Sequence, residues 1–165
     1  MKLSITPEQI AWAKKEQAKF DAQKTHNKFK CSTNYIGLLG EVVFDQFLKD
    51  YGIEYKWIKF TKKGWKDPDF IIKNKSVDLK TTFSDSMWIQ QEKFDYYIYA
   101  RINEEETELD VQGWMSKYDI TECKNNKACE IVTRNGRQDY VFSTNLMKNI
   151  NTLFKGEQHE HRLTR

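Results

Sequence analysis

The sequence has little proline (two residues), glycine (seven) or cysteine (three) among its 165 residues. Such a chain cannot belong to the collagen-like or low-complexity classes. Cys31, Cys123 and Cys129 contain no Cys-x-x-Cys pair, so neither a disulfide framework nor zinc-ligand spacing is present. They are read as free thiols. No apolar run approaches the roughly 20 residues that span a bilayer. The opening Met1-Lys2-Leu3-Ser4-Ile5 lacks the apolar core of a signal peptide and reads as the start of a polar, lysine-rich helix. A large net charge is missing too: 27 basic against 24 acidic residues leave +3, too little to name a partner. Bulky apolar groups, in contrast, are plentiful. An aromatic fraction of 14% supplies the burial that disordered chains lack. The expectation is one compact, cytoplasmic domain with no membrane partner and no organic cofactor.

The small net charge hides an uneven distribution. Residues 1–30 carry seven lysines against Glu8, Glu16 and Asp21, and residues 101–130 carry four bases against eight acids. A basic N-terminal arm and an acidic edge are therefore averaged away. Thr6-Pro7-Glu8-Gln9 reads as a helix start running to about Lys24. A second helix is expected from Ser32 or Thr33 to a cap at Gly52, with Ile36, Leu39, Val43, Phe44 and Phe47 at helical spacing. Short β-branched and aromatic runs follow as strands: 54–60, 69–73, 77–82, 94–102 and 109–115. A hairpin around Asn135-Gly136 joins 129–133 to 138–142, and Ser143-Thr144 caps a last helix through about Phe154. Residues 156–165 read as a mobile polar tail after a domain spanning 1–155. This order predicts an α/β or α+β sheet flanked by helices.

The most informative segment runs from Asp67-Pro68-Asp69 to Asp78-Leu79-Lys80. A hairpin turning at Asn74-Lys75 sets Asp69 opposite Lys80 and Ile71 opposite Asp78. Alternation then sends Asp69, Asp78 and Lys80 to one face and Phe70, Ile72, Val77 and Leu79 to the other. Asp69 and Asp78 become diagonal neighbours, about 7–8 Å apart at Cα. Two hard oxygen ligands at that spacing suit Mg²⁺, which keeps waters and substrate phosphate oxygens in its shell. A neighbouring lysine can neutralise developing charge, or act as a base if burial lowers its pKa. The same spacing also describes a surface hairpin with one Asp–Lys pair, which contributes only a few tenths of a kcal/mol.

Gly37-Leu38-Leu39-Gly40-Glu41 lies inside the second helix. Each internal glycine costs about 1 kcal/mol relative to alanine, so close packing on the sheet is the expected reason. Such packing would bring Glu41 towards the strand carboxylates. A solvated glutamate at the helix edge is the alternative.

Gly-x-x-Gly-Glu in a helix, then Pro-Asp, then Asp-x-Lys after a short turn resembles the PD-(D/E)xK nuclease superfamily, with its restriction-endonuclease-like fold. The matching residues are Glu41, Pro68-Asp69 and Asp78-Leu79-Lys80, within residues 32–82. The resemblance implies a single-domain α/β fold, a mixed β-sheet flanked by helices with the site where strands diverge. It implies Asp69, Asp78 and the Leu79 carbonyl as Mg²⁺ ligands, Lys80 as the catalytic lysine, and Glu41 as a carboxylate aiding metal or water. Mn²⁺ is expected to substitute. The expected activity is hydrolysis of DNA by a small phage- or restriction-type endonuclease, with the attacking water activated by the metal and Lys80, working as a homodimer. A structure-selective nuclease resembling Holliday-junction resolvases, a DNA-binding module without activity, and RNA as substrate all stay open. Gln90 and Gln91 precede tyrosines at spacings that do not match the exonuclease branches.

Between the second helix and Asp69 lies Thr61-Lys62-Lys63-Gly64-Trp65-Lys66. Lys62, Lys63, Trp65 and Lys66 are candidates to hold a phosphate backbone or stack on a base. Lys14, Lys15 and Lys19, and the Arg134-Asn135-Gly136-Arg137 tip, are weaker candidates for backbone contacts. His159-Glu160-His161 falls in the tail and lacks a scaffold for metal chemistry.

Overall fold

Apolar residues alternating along the central strands divide the protein into two cores on opposite faces of one sheet. The computed structural model describes residues 1–23, 35–58, 67–134 and 136–154. Helix α1 (Pro7–Gln23) begins with reciprocal bonds between Thr6 and Gln9, at 2.9 and 3.3 Å, and this is the expected capping box. Helix α2 (Tyr35–Asp50) closes at Gly52, where φ is +64° and Ile53 N–H reaches back to the Leu48 carbonyl at 3.0 Å. Its expected start at Ser32 or Thr33 lies outside the described residues.

The main sheet has six strands: β1 (Lys2–Ser4), β2 (Tyr55–Trp57), β3 (Phe70–Ile72), β4 (Lys75–Thr82), β6 (Tyr96–Ile102) and β7 (Glu108–Ser116). Their order is β1-β7-β6-β4-β3-β2, and only β4–β6 is parallel, so the sheet is mixed as expected. A second, antiparallel sheet has the order β5-β9-β8, from β5 (Ser86–Ile89), β8 (Glu130–Arg134) and β9 (Arg137–Ser143). Leu39, Val43 and Phe44 of α2 pack with Phe70, Ile72, Val77, Leu79, Ile98 and Ala100 on one face. On the other face, Tyr97, Tyr99 and Met115 pack with Met87, Ile89 and Phe142 of the small sheet and with Ile120. Leu109 and Val111 belong to the first core and Met115 to the second. The register shift beside Tyr99/Ala100 reverses the phase of β7 between them, as bulges do. The result is an α/β fold, with a mixed sheet flanked by helices on one side and by a smaller sheet and a helix on the other.

Two local expectations are corrected, and two elements without a sequence expectation are added. Met1 to Ile5 does not open a helix; β1 instead pairs along the acidic β7, with Lys2 Nζ 2.8 Å from Glu108. Strand β5 was too short to stand out from its surrounding loop. Helix α3 (Lys117–Asn125) has a polar sequence that buries Ile120, and a Ser116/Asp119 capping box starts it. The last helix does not run from Ser143: a 3₁₀ turn (Thr144–Leu146) precedes the short α4 (Ile150–Phe154). Between them Lys148 exchanges both backbone hydrogen bonds with Trp114, at 2.9 and 3.0 Å, so this stretch is spent on the sheet.

The critical hairpin turns one residue earlier than expected. Ile72 pairs with Lys75 across Lys73-Asn74, which have φ values of 50° and 62°, and Phe70 pairs with Val77. The pairing sum changes by two, so every side chain keeps its predicted face. Phe70, Ile72, Val77 and Leu79 are all buried against α2.

Close approach of α2 to β4 depends on Gly40. A Cβ there would lie 1.9 Å from Thr81 Oγ1 and 2.7 Å from Thr81 Cβ. At Gly37, where a packing role was also expected, an added Cβ meets no described atom within 4 Å. Gly40→Ala is therefore expected to destabilise the protein by about 1–3 kcal/mol, whereas Gly37→Ala gains up to about 1 kcal/mol. Urea denaturation of the two variants beside the parent protein measures both signs.

Candidate active site

The site forms where β3 and β4 part. Asp69 lies one residue before β3; its N–H donates to the Val77 carbonyl at 3.0 Å and its carbonyl accepts from Ile58 N–H at 2.8 Å. Extending the β3–β4 register by one residue puts Asp69 opposite Asp78. Here the β3–β4 ladder ends, while β4 continues its parallel pairing with β6 along its other edge. Asp69 Oδ2 fills the gap by accepting the Leu79 N–H at 2.7 Å. The predicted pair of carboxylates is thus brought together on the face away from α2's core. Lys80 Nζ stands 2.7 Å from Asp78 Oδ2, and its side chain remains 39% exposed. Leu79 buries its side chain in the core while its backbone borders the site.

Glu41 arrives from α2 and is only 8% exposed, so it is no solvated edge residue. Trp57 Nε1 donates to Glu41 Oε2 at 2.9 Å. Trp57 itself is held by rings on both sides, with centroids 5.8 Å from Trp12 and 6.2 Å from Phe70. A cavity of about 600 Å³ joins Glu41, Asp69, Asp78, Leu79 and Lys80. Its opposite wall comes from the small sheet, through Trp88 and Asp139, and from Gln90, Gln91 and Lys93. Tyr97 ties the two walls together. It pairs with Asp78 across β4–β6, and its hydroxyl accepts from Lys93 and Phe94 N–H while donating to the Gln91 carbonyl.

Desolvation and like charge set the electrostatics. Burial pushes the Glu41 carboxyl up to about 7 against the opposing Trp57 bond, and the charge of Asp78 adds to the rise. Asp69 is raised well above the ordinary carboxylate range by burial first, then by Asp78 and Glu41, with the Leu79 N–H opposing. Lys80 differs from expectation. Burial acts to lower its pKa, but the carboxylates of Asp78 and Asp69 outweigh burial and the net shift is upward. As placed, Lys80 is a held ammonium, and not a lysine freed to act as a base.

These residues fit a divalent cation. With all groups ionised, Glu41, Asp69, Asp78 and Lys80 sum to a formal charge of −2 around one cavity. Among the described residues, no three His, Cys, Asp or Glu side chains are grouped to hold an ion by themselves. Asp69 and Asp78 are the pair that could hold Mg²⁺, an ion that takes one or two carboxylates and completes its octahedron with water and phosphate oxygens. The sequence did not point to Trp57, Tyr97, Trp88 or Asp139, whose placement depends on strands distant in the chain. Lys62, Lys63, Trp65 and Lys66 lie outside the described residues, as does the 156–165 tail. Of the N-terminal lysines, Lys14 pairs with Glu106 at 3.4 Å and Lys19 with Glu16 at 2.6 Å. Among the described residues no helix is long and apolar enough to cross a membrane.

Among solved structures, a nuclease from a fusselovirus is similar to this chain, with 15% identity and a TM-score of 0.43 over 76% of this chain and 93% of that one. A likeness so distant carries no weight for chemistry. No family model matches the chain. No curated protein matches it.

A stability measurement tests the charge balance. Glu41 has a folded pKa of about 7 against an ordinary 4.5, so the folded state binds protons more tightly than the unfolded one. The associated stability is present below 4.5 and is lost as pH rises through about 7. The melting temperature of the metal-free protein is expected to fall between about pH 5 and pH 8, less steeply in Glu41→Gln. Millimolar Mg²⁺ or Ca²⁺ is expected to restore it at the higher pH, and Asp69→Asn to remove that rescue.

Proposed function

We propose that the protein is a metal-dependent endonuclease of the PD-(D/E)xK type that hydrolyses DNA phosphodiester bonds, with Mg²⁺ as the ion and Mn²⁺ able to replace it. The observation that carries this reading is the convergence of Asp69, Asp78, Lys80 and Glu41 on one cavity at the divergence of β3 and β4. Simple nucleic-acid binding gives no reason to gather carboxylates, because they repel phosphate.

Asp69 and Asp78 would hold the ion, with the Leu79 carbonyl as the main-chain candidate. When bound, Mg²⁺ supplies positive charge to the phosphate and a more acidic water. Lys80 presents its ammonium to the same phosphate and offsets the charge that grows as the P–O bond breaks. Glu41 keeps Oε1 to accept a hydrogen bond from the attacking water, since Oε2 is engaged by Trp57. Its carboxylate would receive that proton. The segment containing Lys62, Lys63, Trp65 and Lys66 leaves and rejoins the described chain at Ile58 and Asp67, both on the cavity wall. Those four residues are proposed as nucleic-acid contacts on that ground. Two copies of the chain, each cutting one strand, would complete a double-strand break.

Incubation with supercoiled plasmid and Mg²⁺ is the test. Asp78→Asn and Lys80→Ala should each lower the cleavage rate by about 10²-fold or more. Cleavage at the parent rate in either variant would overturn the assignment. Parallel reactions on linear duplex, a four-way junction and RNA decide among the substrates.

A further inference from the structure

The wall facing the carboxylates has a composition of its own. Strands β5 and β9 pair with Met87 opposite Phe142 and Ile89 opposite Tyr140, and these residues pack in or against the second core. The intervening pair, Trp88 and Val141, points the other way. One step beyond the ladder, the same register sets Gln90 opposite Asp139. Trp88, Gln90 and Asp139 thus share the face that borders the cavity. Arg137 of β9 reaches the rim, where Nη1 donates to Gln90 Oε1 at 3.1 Å.

Asp139 is the telling residue. It is only 7% exposed, and among the described residues its Oδ1 has no hydrogen-bond partner. A buried acceptor without a donor costs about 1–3 kcal/mol, more if charged, so it needs a reason. On its own wall, beside Trp88, Gln90, Gln91 and Lys93, it has no second carboxylate with which to share an ion. Nor can it serve phosphate, which it would repel. What it lacks is a donor, and the imino and amino N–H groups of a nucleobase are donors.

We infer that this wall is a pocket for one unpaired nucleobase beside the bond to be cut, with Trp88 as the stacking surface and Asp139, helped by Gln90, as the edge reader. Arg137 and Lys93 at the rim would take the flanking phosphates. Stacking on an aromatic ring is open to any base, whereas a carboxylate inside a cavity reaches only a base that has left its stack. The preferred substrate is therefore nucleic acid with an unpaired nucleotide at the cut: a single strand, a bulge or a branch. The volume of about 600 Å³ leaves room for a nucleotide beside the ion site. This inference rests on the nuclease reading for its position, but on Asp139 and Trp88 for its content.

The experiment compares a fully paired duplex with the same duplex carrying one unpaired nucleotide, using the full chain. Cleavage with Mg²⁺ and binding with Ca²⁺ are measured, the latter by quenching of tryptophan fluorescence. The parent protein is expected to favour the unpaired substrate by about tenfold. Asp139→Asn and Trp88→Ala should each shrink that preference to about twofold, with the loss in KM more than kcat, and Trp88→Phe should retain it while weakening the quench. Thermal melts of all three establish that they are folded. Equal cleavage and binding of both substrates, or a preference unchanged in both Asp139→Asn and Trp88→Ala, overturns the pocket and leaves the nuclease intact. Preferential quenching that depends on Asp139 with no cleavage of any substrate supports the pocket and overturns the nuclease reading.

Discussion

Three carboxylates face one ammonium inside a cavity that water only partly reaches, and the surrounding structure is arranged around that surplus of negative charge. Asp69 and Asp78 come close because they face each other one step beyond the last β3–β4 pair, while β4 runs on beside β6 along its other edge. Leu79 N–H, freed by the divergence, is taken by Asp69 Oδ2 at 2.7 Å. The hydrogen bond that the ladder forgoes is thus recovered by the group that makes the site unfavourable. Lys80 offsets part of the remaining charge, and Trp57 fixes Glu41 without neutralising it. Two formal negative charges remain unbalanced, a condition that a divalent cation relieves.

Holding these groups in place requires stiffness on both sides of the sheet. Behind the site, α2 lies so close to β4 that only glycine fits at position 40. In front, Tyr97 shares a register pair with Asp78 and hydrogen-bonds three backbone groups of the turn that leads out of β5. One side chain thereby links the carboxylate wall to the opposite one. A shift of either wall would be felt at Asp78, since β4 and β6 are joined along six consecutive residue pairs.

What the sequence revealed follows from how local each signal is. The face assignments of Asp69, Asp78 and Lys80 were legible because strand alternation is local, and they survived a turn misplaced by one residue because the period is two. Glu41 was legible as part of a glycine-containing helix, though its burial was not, since that depends on Trp57 in another strand. The rise in the Lys80 pKa was not legible: alternation puts both carboxylates on the lysine's face, but whether their attraction outweighs burial depends on the folded distances. Strand β5 and Asp139 were not legible as site elements. They meet across about 50 residues of chain, and neither carries a pattern that short-range periodicity detects.

The two walls differ in a way that separates chemistry from selection. The first wall gathers three carboxylates and Lys80, groups of the kind that suit an ion and a phosphate. The second wall offers a ring, amides, a lysine and a single carboxylate. Placing them on separate sheets allows the small sheet to change its side chains without disturbing the divergence of β3 and β4. Asp139 bears on this division. A carboxylate kept 7% exposed without a donor for Oδ1 among the described residues adds negative charge to a cavity that already has too much, and nothing in the folding of β9 requires it. Places where a chain breaks a local rule without structural return are where function is to be sought. Here the unsatisfied group lines the same cavity as Asp69, Asp78 and Lys80, on the wall contributed by the small sheet.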